Sequence, residues 1–216
     1  MNDFVSTQIQ VSGHEWAVDL LKKQAQVERI PQSLLFSGPP NVGKATLARF
    51  FAQYLNCHSE TRPCGRCLAC RKISSGNHPD VRLMDDGGTL KIDEIRELQR
   101  DLSLSPYEGR YRVAMLCNFE RATTSAANAL LKTLEEPAEQ VVLILTAIDP
   151  GGLLPTIVSR CQVLALRALP LLGVLTAVGA CPLGNSIAKV SRGVAGASSS
   201  SAPNKRLIKL IMRGSP

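Results

Sequence analysis

The residues Gly38-Pro39-Pro40-Asn41-Val42-Gly43-Lys44 place two glycines with four residues between them and a lysine directly after the second. This is the spacing of a phosphate-binding loop. Backbone amides at a helix N-terminus surround phosphate oxygens, and the lysine ammonium neutralises the β and γ charges. The next position should carry a hydroxyl to hold magnesium, and here it is Ala45. Thr46 follows, but on a helix it points about 100° away from Ala45 and does not simply substitute. Hydrolysis also needs carboxylates at the end of a central strand, one to hold the metal and one to activate water. The run Val113-Ala114-Met115-Leu116 leads instead into Cys117-Asn118-Phe119, and the next carboxylate is Glu120. The loop, with Ala45 and Thr46, is therefore expected to face ATP or ADP, with magnesium coordination and intrinsic hydrolysis compromised.

A second chemical signal is the crowding of four of the seven cysteines into Cys57, Cys64, Cys67 and Cys70, separated by six, two and two residues. Two-residue gaps let successive thiolates converge on one ion, and four sulfurs suit tetrahedral zinc. A closed four-sulfur shell leaves no position for water, so the predicted site is structural. A redox Cys-x-x-Cys is the rival reading, and it does not account for four thiols. His58 is a substitute ligand only if a cysteine fails. Cys117, Cys161 and Cys181 read as ordinary thiols.

These groups need a scaffold. Leu34-Leu35-Phe36-Ser37 has the pattern of a short buried strand, and Leu47, Phe50, Phe51 and Leu55 repeat at helical spacing after Gly43. The phosphate loop thus sits between a strand and a helix. Val81 to Met84 is a second predicted strand, and Ile92, Ile95, Leu98 and Leu102 mark one face of a helix. Tyr111 to Leu116 and Val141 to Leu145 read as strands, Ala126 to Leu134 as a helix stopped by Pro137, and Cys161 to Leu166 as the last strand. Strands alternating with helices predict an α/β fold with a parallel sheet.

The chain has 216 residues and is 44% apolar, which suits a globular core and excludes collagen-like, mucin-like and wholly disordered classes. Met1 to Gln10 has no basic start leading into an apolar run, so no signal peptide is expected. The apolar stretch from Val163 to Ala180 is broken by Arg167, Pro170 and Gly173, so no membrane span is expected and the cytoplasm is the default location. The net charge of +7 is unevenly spread: the first 149 residues carry −1 and the last 67 carry +8, with no acidic residue after Asp149. The excess basic charge lies after Asp149, away from the cysteines, and aromatics make up only 4% of the chain, so a standalone zinc-dependent nucleic-acid binder is a poor reading.

Taken in order, the motifs resemble the bacterial clamp-loader ATPases, the gamma/tau and delta-prime subunits of DNA polymerase III, from about Gly13 to Leu169. Gly13-His14-Glu15-Trp16-Ala17 resembles the family's N-terminal box, and Arg29-Ile30-Pro31 precedes the phosphate loop as in the family. The cysteines follow, then Asn77-His78-Pro79-Asp80, similar to its His-Pro-Asp signature. Asn128-Ala129-Leu130-Leu131-Lys132-Thr133-Leu134-Glu135-Glu136-Pro137 is similar to its most recognisable run, and Ser159-Arg160-Cys161 to its Ser-Arg-Cys motif.

The resemblance implies an AAA+ P-loop domain over 1–167 with a zinc-binding insert at 57–70. It also implies a remnant of the small helical lid domain at 168–196. Thr146 would be the γ-phosphate sensor, and Arg160 an arginine finger completing a neighbour's ATP site in trans. Partners would be gamma/tau and delta subunits, with the sliding clamp and primer-template DNA reached through the complex. Gamma/tau subunits keep the magnesium hydroxyl and the acidic pair, so Ala45, Cys117 and Asn118 point to the delta-prime role, a largely non-hydrolysing stator. The alternative is an active gamma/tau-type ATPase using Thr46 and Glu120 in displaced positions. The helical collar expected after the lid is missing. Residues 197–216, rich in serine and basic residues, read as an atypical, disordered tail from truncation or a shifted frame.

Overall fold

The computed structural model describes residues 9–85 and 87–168. The chain divides into two units, Met1–Gly173 and Val174–Pro216, and all described residues belong to the first. The expected lid remnant beyond Ala168, the tail at 197–216 and Cys181 lie outside the described residues.

The elements run α1 (Glu15–Gln26), β1 (Ser33–Ser37), α2 (Lys44–Asn56), α3 (Leu68–Ser75), β2 (Val81–Met84) and α4 (Ile92–Leu102). They continue with β3 (Arg112–Leu116), α5 (Thr124–Glu135), β4 (Val141–Ala147), α6 (Pro155–Val158) and β5 (Gln162–Ala165). The strands form one sheet in the order β2-β3-β4-β1-β5, and every neighbouring pair is parallel. The predicted strands and helices are all present. Three helices were not anticipated from the sequence pattern: α1, α3, which begins inside the cysteine insert, and the four-residue α6.

Side-chain alternation along the strands decides which helices cover which face. Leu34, Phe36, Val113, Met115, Val142 and Ile144 join Leu21 of α1, Leu47 and Phe51 of α2 and Ile73 of α3 in one core. Leu35, Ala114, Leu116, Leu143 and Leu145 point the other way, onto Ile95 and Leu98 of α4, Leu130 of α5 and Ile157 of α6. Both faces are covered, so β1 and β4 are buried along their whole length and read as continuous apolar runs. The Thr123 hydroxyl caps α5 by accepting from the Ala126 amide at 3.2 Å. Among the described residues no helix is long and apolar enough to cross a membrane.

Candidate functional site

Parallel strands bring their carboxyl ends to one edge, and loops leaving that edge build the site. The chain leaves β1 at Ser37 and turns through Gly38. Asn41 at φ 60° and Gly43 at φ 97° then bend it into α2. Gly38 itself has φ +148°, and a Cβ there would stand 2.3 Å from the Leu166 carbonyl oxygen at the exit of β5. No side chain fits between the two backbones. Gly38→Ala is expected to destabilise the fold by roughly 3 kcal/mol through overpacking and backbone strain, read as a lower urea midpoint.

Lys44 opens α2 and is 8% exposed. Its ammonium donates to the carbonyls of Gly38 at 2.7 Å and Pro39 at 2.8 Å, so the charge sits within the curve of its own loop. Burial lowers its pKa, with Glu120 and Cys117 acting in the opposite direction. Val42 turns inward against the core, and its carbonyl accepts from His14 Nε2 at 2.9 Å. His14 of the N-terminal box therefore buttresses the loop, a contact with no trace in local sequence.

A cavity of about 390 Å³ opens in front of Lys44. Of the residues expected to face nucleotide, Pro40, Asn41, Gly43, Lys44, Ala45, Thr46 and Thr146 line it, while Gly38, Pro39 and Val42 shape the loop behind them. The remaining wall is Asp85, Cys117 and Asn118, from the ends of β2 and β3. Thr146, 2% exposed, accepts the Asn118 amide on Oγ1 at 3.0 Å, and its hydroxyl hydrogen-bonds the Cys117 sulfur. Asn118 adopts a left-handed conformation (φ 52°, ψ 49°), which asparagine tolerates. Its side-chain amide donates to Asp85 Oδ1 at 3.4 Å. Burial, reinforced by the Asp85 charge, pushes the Cys117 thiol up to about 11, so it stays protonated at neutral pH.

The loop side of the cavity thus keeps the residues expected to face phosphate, while the positions expected to hold a metal carry other side chains. A methyl group stands at Ala45, and neutral side chains stand at Cys117 and Asn118. Asp85 is a carboxylate that reasoning along the chain missed. It follows β2, and only the parallel pairing of Met84 with Leu116 brings it beside Asn118. Thr46 also reaches the cavity, although a 100° turn separates it from Ala45.

At the other end of α2, the Sγ atoms of Cys57, Cys64, Cys67 and Cys70 all lie within 4.8 Å of one another. Cys57 and Cys67 are 3.9 Å apart. Four sulfurs at about 2.3 Å from one zinc ion would be about 3.8 Å from each other, so the set fits that metal. Amides of Cys64, Arg66, Cys67 and Cys70 donate to the sulfurs. Burial would raise the Cys64 thiol, but the Arg66 and Cys67 amides outweigh it and hold it down to about 6. Burial raises Cys57 and Cys70. His58 is exposed and stands outside this group.

Arg160 follows α6 and does not line the cavity. Its side chain is 35% exposed, with Nη2 on Glu135 Oε1 at 2.6 Å and Nη1 donating to the Thr156 carbonyl at 2.9 Å.

Residues 13–170 match the family model described as DNA polymerase III, delta subunit. The chain is 39% identical to the DNA polymerase III subunit tau/gamma of Haemophilus influenzae over 161 residues, 74% of this chain and 23% of that one. It is 36% identical to the DNA polymerase III subunit delta-prime of Bacillus subtilis over 152 residues, 69% of this chain and 46% of that one. The crystal structure of a DNA polymerase III gamma subunit-related protein from Thermotoga maritima superposes with a TM-score of 0.55 at 25% identity, covering 70% of this chain and 46% of that one. The chain spans less than half the length of each of these relatives.

Proposed function

This chain belongs to the family of DNA polymerase III clamp-loader subunits that includes gamma/tau and delta-prime, and on that premise we propose that it acts in DNA replication as a delta-prime-type stator. The observation that carries this reading is the asymmetry of its site. The phosphate-binding loop is intact, its magnesium hydroxyl is replaced by Ala45 and its catalytic carboxylates by Cys117 and Asn118, and Arg160 is exposed away from the cavity. A subunit built this way binds ATP or ADP weakly or passively through Lys44 and Thr146. It lends Arg160 to the ATP site of a neighbouring gamma/tau subunit. Delta, the sliding clamp and primed DNA are met through the assembled complex, in the cytoplasm. Cys57, Cys64, Cys67 and Cys70 hold a zinc ion that closes the insert, and residues 1–167 form the ATPase-like domain.

A second reading is supported by Asp85 and Thr46, which bring a carboxylate and a hydroxyl to the cavity wall. These two could serve a displaced magnesium site in an active gamma/tau-type ATPase. ATP hydrolysis by the purified chain, alone and then with a gamma-type subunit, clamp and primed DNA, separates the readings. The stator gives no turnover alone and raises turnover in the mixture. Robust turnover alone, abolished by Lys44→Ala, would make this chain the motor and sink the stator reading.

A further inference from the structure

Five consecutive backbone amides, from Tyr107 to Tyr111, are taken up by two side chains. Asp80 accepts from Tyr107 (2.7 Å), Glu108 (2.8 Å) and Gly109 (2.7 Å). Asn56 Oδ1 accepts from Arg110 (2.9 Å) and Tyr111 (3.0 Å). Gly109 is required here, because a Cβ would lie 2.7 Å from Asn56 Oδ1. An irregular loop is held as firmly as a strand edge. It carries Tyr107, 82% exposed, and follows Leu104, 62% exposed, so it displays apolar side chains to solvent.

Two of the grips on this loop, Asn56 and Lys72, come from residues flanking the cysteine cluster. Asn56 immediately precedes Cys57. Lys72, two residues after Cys70, donates to both Glu108 carboxylate oxygens at 2.9 and 2.7 Å. Gln53 donates to the Cys70 carbonyl at 2.9 Å and the Ser74 hydroxyl at 2.8 Å, joining α2 to α3. Asp80, by contrast, lies one residue before β2 and is carried by the sheet.

We propose that the metal centre and the loop at 105–111 form one mechanical unit, in which closing the four thiols around the ion fixes Asn56 and Lys72 and thereby orders the loop. The inference rests on the zinc reading of the four cysteines. Without the ion, four sulfurs have no common partner, Cys57 and Cys70 separate, and the outer grips loosen while Asp80 keeps its own. The loop then stays attached at Tyr107 to Gly109 and frays at Arg110 and Tyr111.

Amide-resolved hydrogen exchange on the full chain tests this, with zinc content measured in parallel by a colorimetric chelator. Removing zinc should speed exchange at Arg110 and Tyr111 by about tenfold or more, with smaller changes at Tyr107 to Gly109 and none in β1 and β4. Lys72→Met should retain zinc and speed exchange at Glu108 several-fold. Unchanged loop protection in a folded zinc-free chain would overturn the proposal. If zinc removal unfolds the whole domain, Lys72→Met at full zinc occupancy decides, and unaltered exchange at Glu108 would overturn it. A folded chain that takes up no zinc would fail in the metal assay, bringing down the zinc reading and the coupling together.

Discussion

Replacing Arg160 with alanine is expected to lower ATP turnover by roughly a thousandfold at the interface this chain is proposed to complete, the scale on which donated arginines act in phosphoryl transfer. The measurement is steady-state hydrolysis by a gamma-type partner whose own arginine has been replaced, so that the remaining turnover depends on Arg160. The size of the effect comes from charge developing on the transferred phosphoryl group in a site with little water, where one fixed guanidinium acts at close range. Arg160 follows a short helix opened by Pro155, and its contacts to Glu135 and the Thr156 carbonyl fix its guanidinium at the surface. An exposed ion pair of this kind contributes at most about 1 kcal/mol to stability. The variant therefore folds, and loss of turnover cannot be ascribed to a damaged domain. Arg160→Lys should rescue little, because an ammonium lacks the planar pair of donors. Turnover unchanged in the alanine variant would end the finger assignment.

The largest expected stability effect falls on Asp80. Its alanine variant should lose about 3–5 kcal/mol, because three loop amides and Arg112, whose Nη2 lies 3.5 Å from Asp80 Oδ1, would lose their acceptor in a buried place. Against a typical total of about 5–15 kcal/mol, such a loss unfolds much of the population under mild denaturant. The charge also sets a pH dependence. Burial alone would raise the Asp80 pKa, but the amides of Tyr107, Glu108 and Gly109, with Arg112, outweigh it and hold it below the ordinary aspartate value. A depressed folded-state pKa stabilises the fold above the unfolded value, and this contribution is lost as pH falls through the folded value. The gap in urea midpoint between the parent and Asp80→Asn should therefore be wide at neutral pH and narrow below about pH 4. A gap independent of pH would show that the carboxylate charge contributes nothing.

Much of this architecture was legible along the chain, for a physical reason. A phosphate loop is seven consecutive residues, and the four clustered cysteines span only fourteen, so each motif carries its own geometry in local spacing. The strands were equally plain, because burial on both faces leaves continuous apolar runs such as Val141 to Leu145. What escaped notice depends on contacts between distant segments. Asp85 enters the cavity only through the pairing of β2 with β3, His14 reaches Val42 across 28 residues, and Asn56 holds Tyr111 across 55. No local pattern encodes such pairings. Asp80 was recognisable as part of a signature, but its work as an anchor for a loop 27 to 29 residues away was not.

The helix α2 begins at Lys44 and ends against Cys57, the first of the four clustered cysteines, with most of its thirteen residues buried. One inserted residue would rotate everything after it by about 100° and advance it by about 1.5 Å. Cys57 would then swing away from its three companions while Lys44 stayed in place. Natural variation in length should therefore be almost absent between Lys44 and Cys57 and tolerated at 58–62, where the chain is largely exposed. The helix works as a gauge block: it fixes the spacing of two motifs at its opposite ends, and length changes are expected to fall in the turn beyond it.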